Sequence, residues 1–487
     1  MGERHLSRVP YMPRNQAYLD PIRSAPEGPD IAAFFDMDGT LLAGFSAYVF
    51  AQDRLRTPDI RHLGILREAL AYRMGRSTFE SLLRASAKML EGETVEQVEK
   101  QAERLFRRNI AGLIYPEARA IIAAHRARGH RLIMISAATQ FQVAAVADDL
   151  GFDEVIGNRL EILDGQLTGE VLEPIIYGDA KAATAVEVAE EYGIDLAESF
   201  AYSDGGEDLP LLEGVGNPRP LNPDKHLAAE SKRRGWETLD FESRGRPPLS
   251  FILRTAAANM SMVPAVGAGL LAGALNRDRR QALNLAMSTW GEFAVAISGV
   301  DVQIEGEDHL WSARPCVFLF NHQSNFDGLL LMKVLRKDVT AIAKQQLSHM
   351  PLVGPLFSFG GVVFIDRTDH EQAVNALQSA VNTIRDGLSI AIAPEGTRQP
   401  TPNLGPFKKG GFHLAMEAGV PIVPIIIHNS HDVLPRGGRV MRPTTVRVTV
   451  GSPIPTSHWK TKDLDTHISD VRELYLETLG QVSGPKP

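Results

Sequence analysis

The 487-residue chain is 44% hydrophobic and 23% charged, the balance of a folded protein, and it is too long for one ordinary core, so two or three domains are expected. Its single cysteine, Cys316, excludes an intramolecular disulfide framework and any multi-cysteine zinc site, and suits a reducing compartment. The net charge of −8 is uneven: residues 1–243 carry 27 Lys and Arg against 39 Asp and Glu, whereas residues 244–487 carry 24 against 20. A weakly basic second half suits an anionic ligand or a membrane surface, although the split equally fits no functional role. It is far from the concentrated basic patch that nucleic acid requires, so no nucleic-acid partner is expected.

Residues 1–30 read as a loosely structured leader, polar and with five prolines, lacking the apolar core of a signal peptide. Over 31–220 the runs Ile31–Phe35, Leu132–Ile135 and Ser199–Tyr202 predict buried parallel strands that deliver polar residues at their C-terminal ends, where open α/β sheets place their sites. Residues 46–111 are helical in pattern with no strand signal and read as a helical cap inserted over that sheet. Residues 221–249, rich in Pro, Arg and Lys, read as a linker. Thr255–Asn276 then runs 22 residues without a charge, and a second apolar run follows from Ala282 to Val300, broken by Glu292. The first run is long enough to cross a bilayer, but Pro264 and its many small residues favour a hairpin in one leaflet or a helix packed on the next domain. Segment 250–300 is thus the candidate for membrane association. Strands at Cys316–Phe320, Gly361–Ile365, Ser389–Ala393 and Ile422–Ile427 place a second strand–helix domain at 301–457, and 458–487 reads as a closing helix and tail. The predicted class is α/β: a Rossmann-like parallel sheet with an inserted helical cap, then a second α/β domain, without internal repeats.

Asp36-Met37-Asp38-Gly39-Thr40 follows the first strand directly. Two carboxylates so spaced suit covalent phosphoryl transfer: one attacks phosphorus, the other protonates the leaving oxygen and later activates water. Gly39 lets the chain turn sharply between strand and loop. Ser136 offers a hydroxyl to a phosphoryl oxygen, and Lys181, heading a helix over 182–191, offers a compact positive charge. Ser203-Asp204-Gly205-Gly206-Glu207-Asp208 supplies hard oxygen ligands suited to Mg²⁺, which would offset repulsion between a phosphate and Asp36. Arg73, Arg76 and Arg84 read as a solvated face of the cap.

The order Asp36-x-Asp38-Gly39-Thr40, Ser136, Lys181, Asp204-x-x-x-Asp208 resembles the haloacid dehalogenase superfamily, in its phosphoserine-phosphatase-like branch (subfamily IB), over residues 31–220. The resemblance implies Asp36 as nucleophile, Asp38 as general acid and base, and Ser136 and Lys181 on the phosphoryl group. It implies Mg²⁺ held by Asp36, the Asp38 carbonyl and Asp204, with Asp208 supporting either the loop or the metal. Gly205-Gly206 departs from the family, in which a polar residue often follows the metal aspartate. The cap carries no readable substrate code.

Asn321-His322-Gln323-Ser324-Asn325-Phe326-Asp327 follows the strand at 316–320. Residues five apart lie about 140° apart around a regular helix, so His322 and Asp327 meet only with His322 in the loop and Asp327 in the first helical turn. They would then be a histidine base and its orienting carboxylate. The chain has no Gly-x-Ser-x-Gly elbow, so a direct route is expected, in which His322 takes a proton from a substrate hydroxyl that attacks a thioester carbonyl. Cys316, on an apolar strand, reads as an inert core residue rather than a nucleophile. Arg367, in Phe364–Arg367, and Arg398, in Pro394–Arg398, end two further strands, where paired guanidiniums suit a phosphate. Phe407–Gly411 follows as a basic, glycine-containing loop.

This pattern is similar to the glycerolipid acyltransferase family, in its 1-acylglycerol-3-phosphate branch, over residues 300–455. His322-x-x-x-x-Asp327 matches the catalytic motif, and Phe364–Arg367, Glu395–Arg398 and Val420–Ile425 match the motifs that follow; Thr397 stands where Ser is frequent. The resemblance implies that Arg367, Glu395, Gly396, Thr397 and Arg398 position the acceptor's glycerol phosphate, with Lys344 adding a charge. Together the two resemblances imply a bifunctional phospholipid-biosynthesis enzyme. Its C-terminal half would convert lysophosphatidic acid to phosphatidic acid with acyl-CoA or acyl carrier protein as donor. Its N-terminal half would hydrolyse a phosphomonoester from the same lipid or glycerol phosphate pool, with phosphoserine as the alternative substrate. A non-catalytic docking role for that half is a further alternative, against which the retention of Asp36, Asp38, Lys181 and Asp204 argues. Apolar substrates place the chain on the cytoplasmic face of a membrane; oligomeric state is not legible.

Overall fold

The computed structural model describes residues 17–54, 67–68, 70–71, 74, 76–344, 362–365 and 370–481. They fall into two compact units, one within residues 15–246 and one within 247–487. Residues 1–16 of the leader, 55–66 of the cap, Arg73, Arg367, the residues just after Lys344 and the last six of the tail lie outside the described residues, as does the Lys344 side chain.

The first unit is built from β1 (Ala32–Phe35), α1 (Ser46–Arg54), α2 (Phe79–Lys88), α3 (Val95–Leu105), α4 (Pro116–Ala127), β2 (Arg131–Thr139), α5 (Gln140–Leu150), β3 (Glu154–Asn158), β4 (Leu160–Leu163), β5 (Gln166–Val171), α6 (Asp179–Tyr192), β6 (Phe200–Ser203), β7 (Asn217–Pro220) and α7 (Lys225–Arg234). Its main sheet has the order β3-β2-β1-β6-β7, all parallel. All four residues of β1 are buried because both faces are covered, which is why the strand reads as an unbroken apolar run. Phe35, Met134 and Tyr202 pack with Ile121 and Ile122 of α4 on one face. Phe34, Ile133 and Ala201 pack with Ala185 and Val188 of α6 on the other.

The cap has its own small core, in which Leu83 and Ala87 of α2 and Val98 and Ala102 of α3 meet Phe141, Leu160 and Leu167. Thr94 opens α3 with a reciprocal capping box to Gln97, a strong local start signal. The antiparallel hairpin β4–β5 was not anticipated in the sequence. Two expectations change. Residues 17–24, part of the expected loose leader, form short helical turns that bury Leu19 and Ile22 in the core beside Phe35. Segment 221–249, expected as linker, contains α7 capped by Asp224. It then returns to the sheet, the Leu239 N–H donating to the Pro220 carbonyl (3.0 Å) and the Phe241 N–H to Asn222 Oδ1 (2.6 Å).

The second unit comprises α8 (Leu249–Met260), α9 (Met262–Asn276), α10 (Arg279–Ser298), β8 (Asp301–Glu305), β9 (Val317–Phe320), α11 (Asp327–Leu335), β10 (Val339–Lys344), β11 (Val363–Ile365), α12 (His370–Arg385), β12 (Ser389–Ile392), α13 (Gly410–Ala418), β13 (Ile422–Ile427), α14 (Ser430–Val433), β14 (Thr445–Val450) and α15 (Leu464–Leu479). Seven strands run in the order β11-β10-β12-β9-β13-β14-β8, parallel except for the antiparallel pair β13–β14. Phe318, Val423 and Ile425 pack with Leu330 and Val334 of α11 on one face. Val317, Leu319 and Ile426 pack with Phe412 of α13 and Tyr475 of α15 on the other. Helices α9 and α10 form a hairpin, and α10 packs on α11. Leu249–Asn276 is the one stretch, among the described residues, long and apolar enough to cross a membrane, with a mean hydropathy of 1.4 and only 22% of that window buried. Leu253, Met260, Val263, Leu271 and Leu275 remain exposed along it.

Candidate active sites

In the first unit the chemistry-bearing side chains gather at the C-terminal edge of the parallel sheet. Asp36 and Asp38 follow β1, Ser136 lies in β2, Lys181 sits in the first turn of α6, and Asp204 and Asp208 follow β6. The buried Lys181 ammonium donates to Asp36 Oδ1 (2.7 Å) and to Asp208 Oδ2 (2.6 Å). Ser203 Oγ donates to the same Asp208 oxygen (2.7 Å). That geometry makes Asp208 an anchor of Lys181 and of the loop through Oδ2, while its Oδ1 is buried with no hydrogen-bond partner among the described residues. Asp38 is held by Ser46, which the sequence reading missed: its N–H and its hydroxyl each donate to one carboxylate oxygen at 2.8 Å. Ser46 opens α1, so Asp38 also caps a helix start, where a carboxylate is favoured. Ser136 Oγ accepts from the Ala138 N–H (3.2 Å), leaving its O–H to donate to a ligand.

Gly39 is required twice over. Its φ is +82°, and a Cβ there would collide with the Asp204 carboxylate. Thr40 Oγ1 donates to Asp204 Oδ1 (3.1 Å) and Asn222 Nδ2 donates to the Gly39 carbonyl (3.2 Å), fixing the turn against the β6 loop. Burial pushes the Asp36 carboxyl above the ordinary range, against the pull of Lys181. It pushes Asp38 up to about 6, against the Ser46 hydrogen bonds. Burial, and then Asp36, push Asp204 up to about 8. Burial works against the Lys181 ammonium too, but Asp36 and Asp208 outweigh it and hold its pKa above the usual lysine value. One ammonium among four carboxyls leaves an excess of buried negative charge, which a divalent cation would relieve. Among the described residues no three His, Cys, Asp or Glu side chains are grouped to hold a metal. A cation here would therefore rest on Asp36, Asp204, main-chain oxygen and water, a donor set that suits Mg²⁺.

In the second unit the loop after β9 carries His322, and Asp327 is the first residue of α11. His322 Nδ1 lies 2.7 Å from Asp327 Oδ2. The same oxygen accepts from the Gln323 and Ser324 N–H groups (both 2.9 Å), and Ser430 Oγ donates to Asp327 Oδ1. A carboxylate only accepts, so His322 Nδ1 carries the proton and Nε2 is left as the basic nitrogen. The Asp327 side chain is 1% exposed and that of His322 is 29% exposed, so the pair is anchored at one end and open at the other. Asn321 ties the loop to β13, exchanging two hydrogen bonds with Ile427 (2.8 and 2.7 Å).

Glu395 departs from expectation. Its carboxylate is buried and accepts from the main-chain N–H groups of His322 (2.8 Å) and Gly405 (2.9 Å). It therefore braces the catalytic loop instead of facing the acceptor's phosphate, which its own charge would repel. Burial pushes its pKa up, opposed by those two N–H groups. Gly396 has a φ of +72°, and the Lys408 side chain lies across it. Arg398 is half-buried, with an Nε that is buried and has no hydrogen-bond partner among the described residues. Thr397 is exposed, and Lys409 is diverted to Asp465 (2.7 Å). The structure thus brings His322, Asp327, Glu395, Gly396 and Arg398 to one sheet edge, adds Lys408 and Ser430, and ends β10 at Lys344. Burial raises the Cys316 thiol to about 11, consistent with an unreactive core position.

A family profile of haloacid dehalogenase-like hydrolases matches residues 33–213, and one of acyltransferases matches residues 301–428. The chain is 34% identical over 220 residues to the inhibition of morphological differentiation protein of Streptomyces azureus, covering 44% of this chain and 79% of that one. The chain belongs to both families. It is 32% identical over 259 residues to a probable phosphatase of Mycobacterium tuberculosis, covering 50% of this chain and 89% of that one. It is 30% identical over 190 residues to a 1-acyl-sn-glycerol-3-phosphate acyltransferase of Limnanthes alba, covering 39% and 67%. This acyltransferase–hydrolase is therefore an enzyme with two catalytic halves.

Two expectations follow from the geometry. Gly39→Ala must displace Asp204 or reopen the turn, and misplacement on that scale lowers rates by about 100-fold; a phosphate-release assay on the purified variant, with circular dichroism to verify folding, measures it. Ser430→Ala removes one donor from a buried carboxylate, a loss of about 1.5–3 kcal/mol, and should lower kcat for acyl transfer by about 10- to 100-fold with little change in acceptor KM. Ser430→Thr, which restores the hydroxyl, should recover most of it.

Proposed function

We propose that the C-terminal unit transfers an acyl group from an acyl thioester (acyl-CoA or acyl carrier protein) to the free hydroxyl of 1-acyl-sn-glycerol 3-phosphate, forming phosphatidic acid, and that the N-terminal unit hydrolyses a phosphomonoester through a phosphorylated Asp36. The observation that carries the first half is the His322–Asp327 pair, with Asp327 buried, the imidazole partly exposed and Arg398 following the neighbouring strand β12. His322 Nε2 takes the hydroxyl proton as the oxygen attacks the thioester carbonyl. The C–S bond then breaks, and the imidazolium returns the proton to the leaving thiolate. Asp327 stabilises the imidazolium between these steps. Arg398 and Lys408 supply positive charge for the acceptor's phosphate, with Arg367 and Lys344 as further candidates.

In the other half Asp36 attacks phosphorus, the P–O bond to the alcohol breaks, and Asp38 protonates the leaving oxygen. Asp38 then takes a proton from water, which attacks phosphorus, frees Asp36 and releases inorganic phosphate. Burial keeps Asp38 protonated to higher pH than an ordinary carboxyl, as a general acid needs. Lys181 and Ser136 hold the phosphoryl oxygens. Mg²⁺ bound by Asp36, the Asp38 carbonyl and Asp204 would neutralise charge at this site. The exposed apolar side of α8 and α9 supports attachment to a membrane, on the cytoplasmic, reducing side that a lone buried thiol suits.

The two activities should separate cleanly. His322→Ala removes the base and should lower acyl transfer by about 10²- to 10⁴-fold, leaving phosphate release intact. Asp36→Asn, or chelation of Mg²⁺, should abolish phosphate release and leave acyl transfer intact. Release that persists in Asp36→Asn would show that Asp36 is not the nucleophile.

A further inference from the structure

The phosphatase site lies at the bottom of a chamber of about 550 Å³ between the sheet and the cap. Asp36, Asp38, Ser136, Lys181 and Asp204 form its polar end; above them Phe45, Phe50, Phe79, Leu83, Phe141 and Leu160 line the walls. The volume falls within the range of about 300–1,000 Å³ typical of sites that enclose most of an organic ligand. The wall carries few polar groups; Glu207, exposed beside the phosphoryl end, is an anion, and most of the others are engaged within the protein. The Arg54 guanidinium is held by Glu93 and Gln101, Gln142 is bonded to Thr139 at the start of α5, and the Ser86 hydroxyl donates to the Leu82 carbonyl (2.8 Å). Among the described lining residues the cations are Lys181, which belongs to the phosphoryl end, and Arg54. A leaving group with a carboxylate and an ammonium, such as serine, would find no uncommitted cation for its carboxylate among the described lining residues. It would also leave the aromatic and aliphatic walls against water.

We propose that this phosphatase acts on phosphomonoesters whose alcohol carries a long apolar chain, with the phosphate on Lys181 and Ser136 and the chain in the chamber under the cap. The inference rests on the phosphomonoesterase reading above and adds its substrate class. Phe45 lies at the open side, lining the chamber while 64% exposed, so an apolar chain has a wall to follow inward. The chemical steps are unchanged: the bond broken is P–O, and the proton from Asp38 goes to the lipid alcohol.

The test is phosphate release by the full-length protein with Mg²⁺ and no acyl thioester, with every lipid kept below its aggregation concentration. The substrates are 4-nitrophenyl phosphate, phosphoserine, glycerol 3-phosphate, 1-acylglycerol 3-phosphates with chains of two to ten carbons, and octyl and decyl phosphates. Each buried methylene contributes about fourfold in binding, so kcat/KM should climb at least about 100-fold from glycerol 3-phosphate to the eight-carbon acyl ester. Alkyl phosphates that match the acyl esters mean that the chain is read without the glycerol; a preference for the acyl esters means that both are read. Phe45→Glu should flatten the chain-length dependence by about tenfold. Hydrolysis of 4-nitrophenyl phosphate with no dependence on chain length, a preference for phosphoserine, or an unchanged slope in Phe45→Glu would overturn the chamber assignment alone. Absence of release from every ester, 4-nitrophenyl phosphate included, would overturn the phosphatase reading and this inference with it.

Discussion

A carboxylate taken out of water at the end of a buried parallel strand must be met by donors or cations, and most of this protein's functional geometry follows from how that requirement is satisfied. Asp327 is fully buried, and His322, Ser430 and two main-chain N–H groups converge on it. Isolated in a low-dielectric interior such a charge would cost several kcal/mol, so the donors are held where they are. The histidine that supplies one of them has its ring orientation set as a consequence. The base is positioned by the needs of its partner.

The N-terminal unit meets the same requirement differently. Lys181 binds Asp36 and Asp208 together, but Asp38 and Asp204 share the space, and hydrogen bonds from Ser46 and Thr40 neutralise no charge. In the acyl-transfer site the buried carboxylates are met by donors within the protein, and the Arg398 Nε has no hydrogen-bond partner among the described residues. The phosphatase site is over-supplied with carboxylates, and its polar end must gain positive charge before it can hold a phosphate dianion. In both cases a sheet edge provides the polar groups, and in the first unit hydrocarbon surrounds them, as the walls of the chamber under the cap show.

The strands that deliver these groups were legible because they are unbroken apolar runs: Ala-Ala-Phe-Phe in β1 and Ile-Val-Pro-Ile-Ile-Ile in β13 are buried throughout. Strands away from the centre were not. Asp-Val-Gln-Ile-Glu in β8 alternates between partly buried and exposed residues, and its polar half conceals it. The core contribution of Leu19 and Ile22 was hidden by the prolines and polar residues around them. At the sites, residues with distinctive chemistry at fixed spacing could be picked out, whereas Ser46, Asn222 and Ser430 could not. They are common residue types, and Ser430 reaches Asp327 across 103 residues of sequence. Glu395 shows the converse: the motif drew attention to the right residue, but only coordinates show its carboxylate turned inward onto the His322 main chain.

The claim that a buried carboxylate orients the catalytic imidazole is tested most directly by ¹⁵N nuclear magnetic resonance of histidine-labelled protein, with the His322 signals assigned by their loss in His322→Gln. With the ring neutral, the account predicts a proton on Nδ1 and a pyridine-like shift at Nε2, with the populations of the two tautomers moving toward equality in Asp327→Asn. A proton on Nε2 in the wild-type protein, or a tautomer indifferent to residue 327, would contradict it.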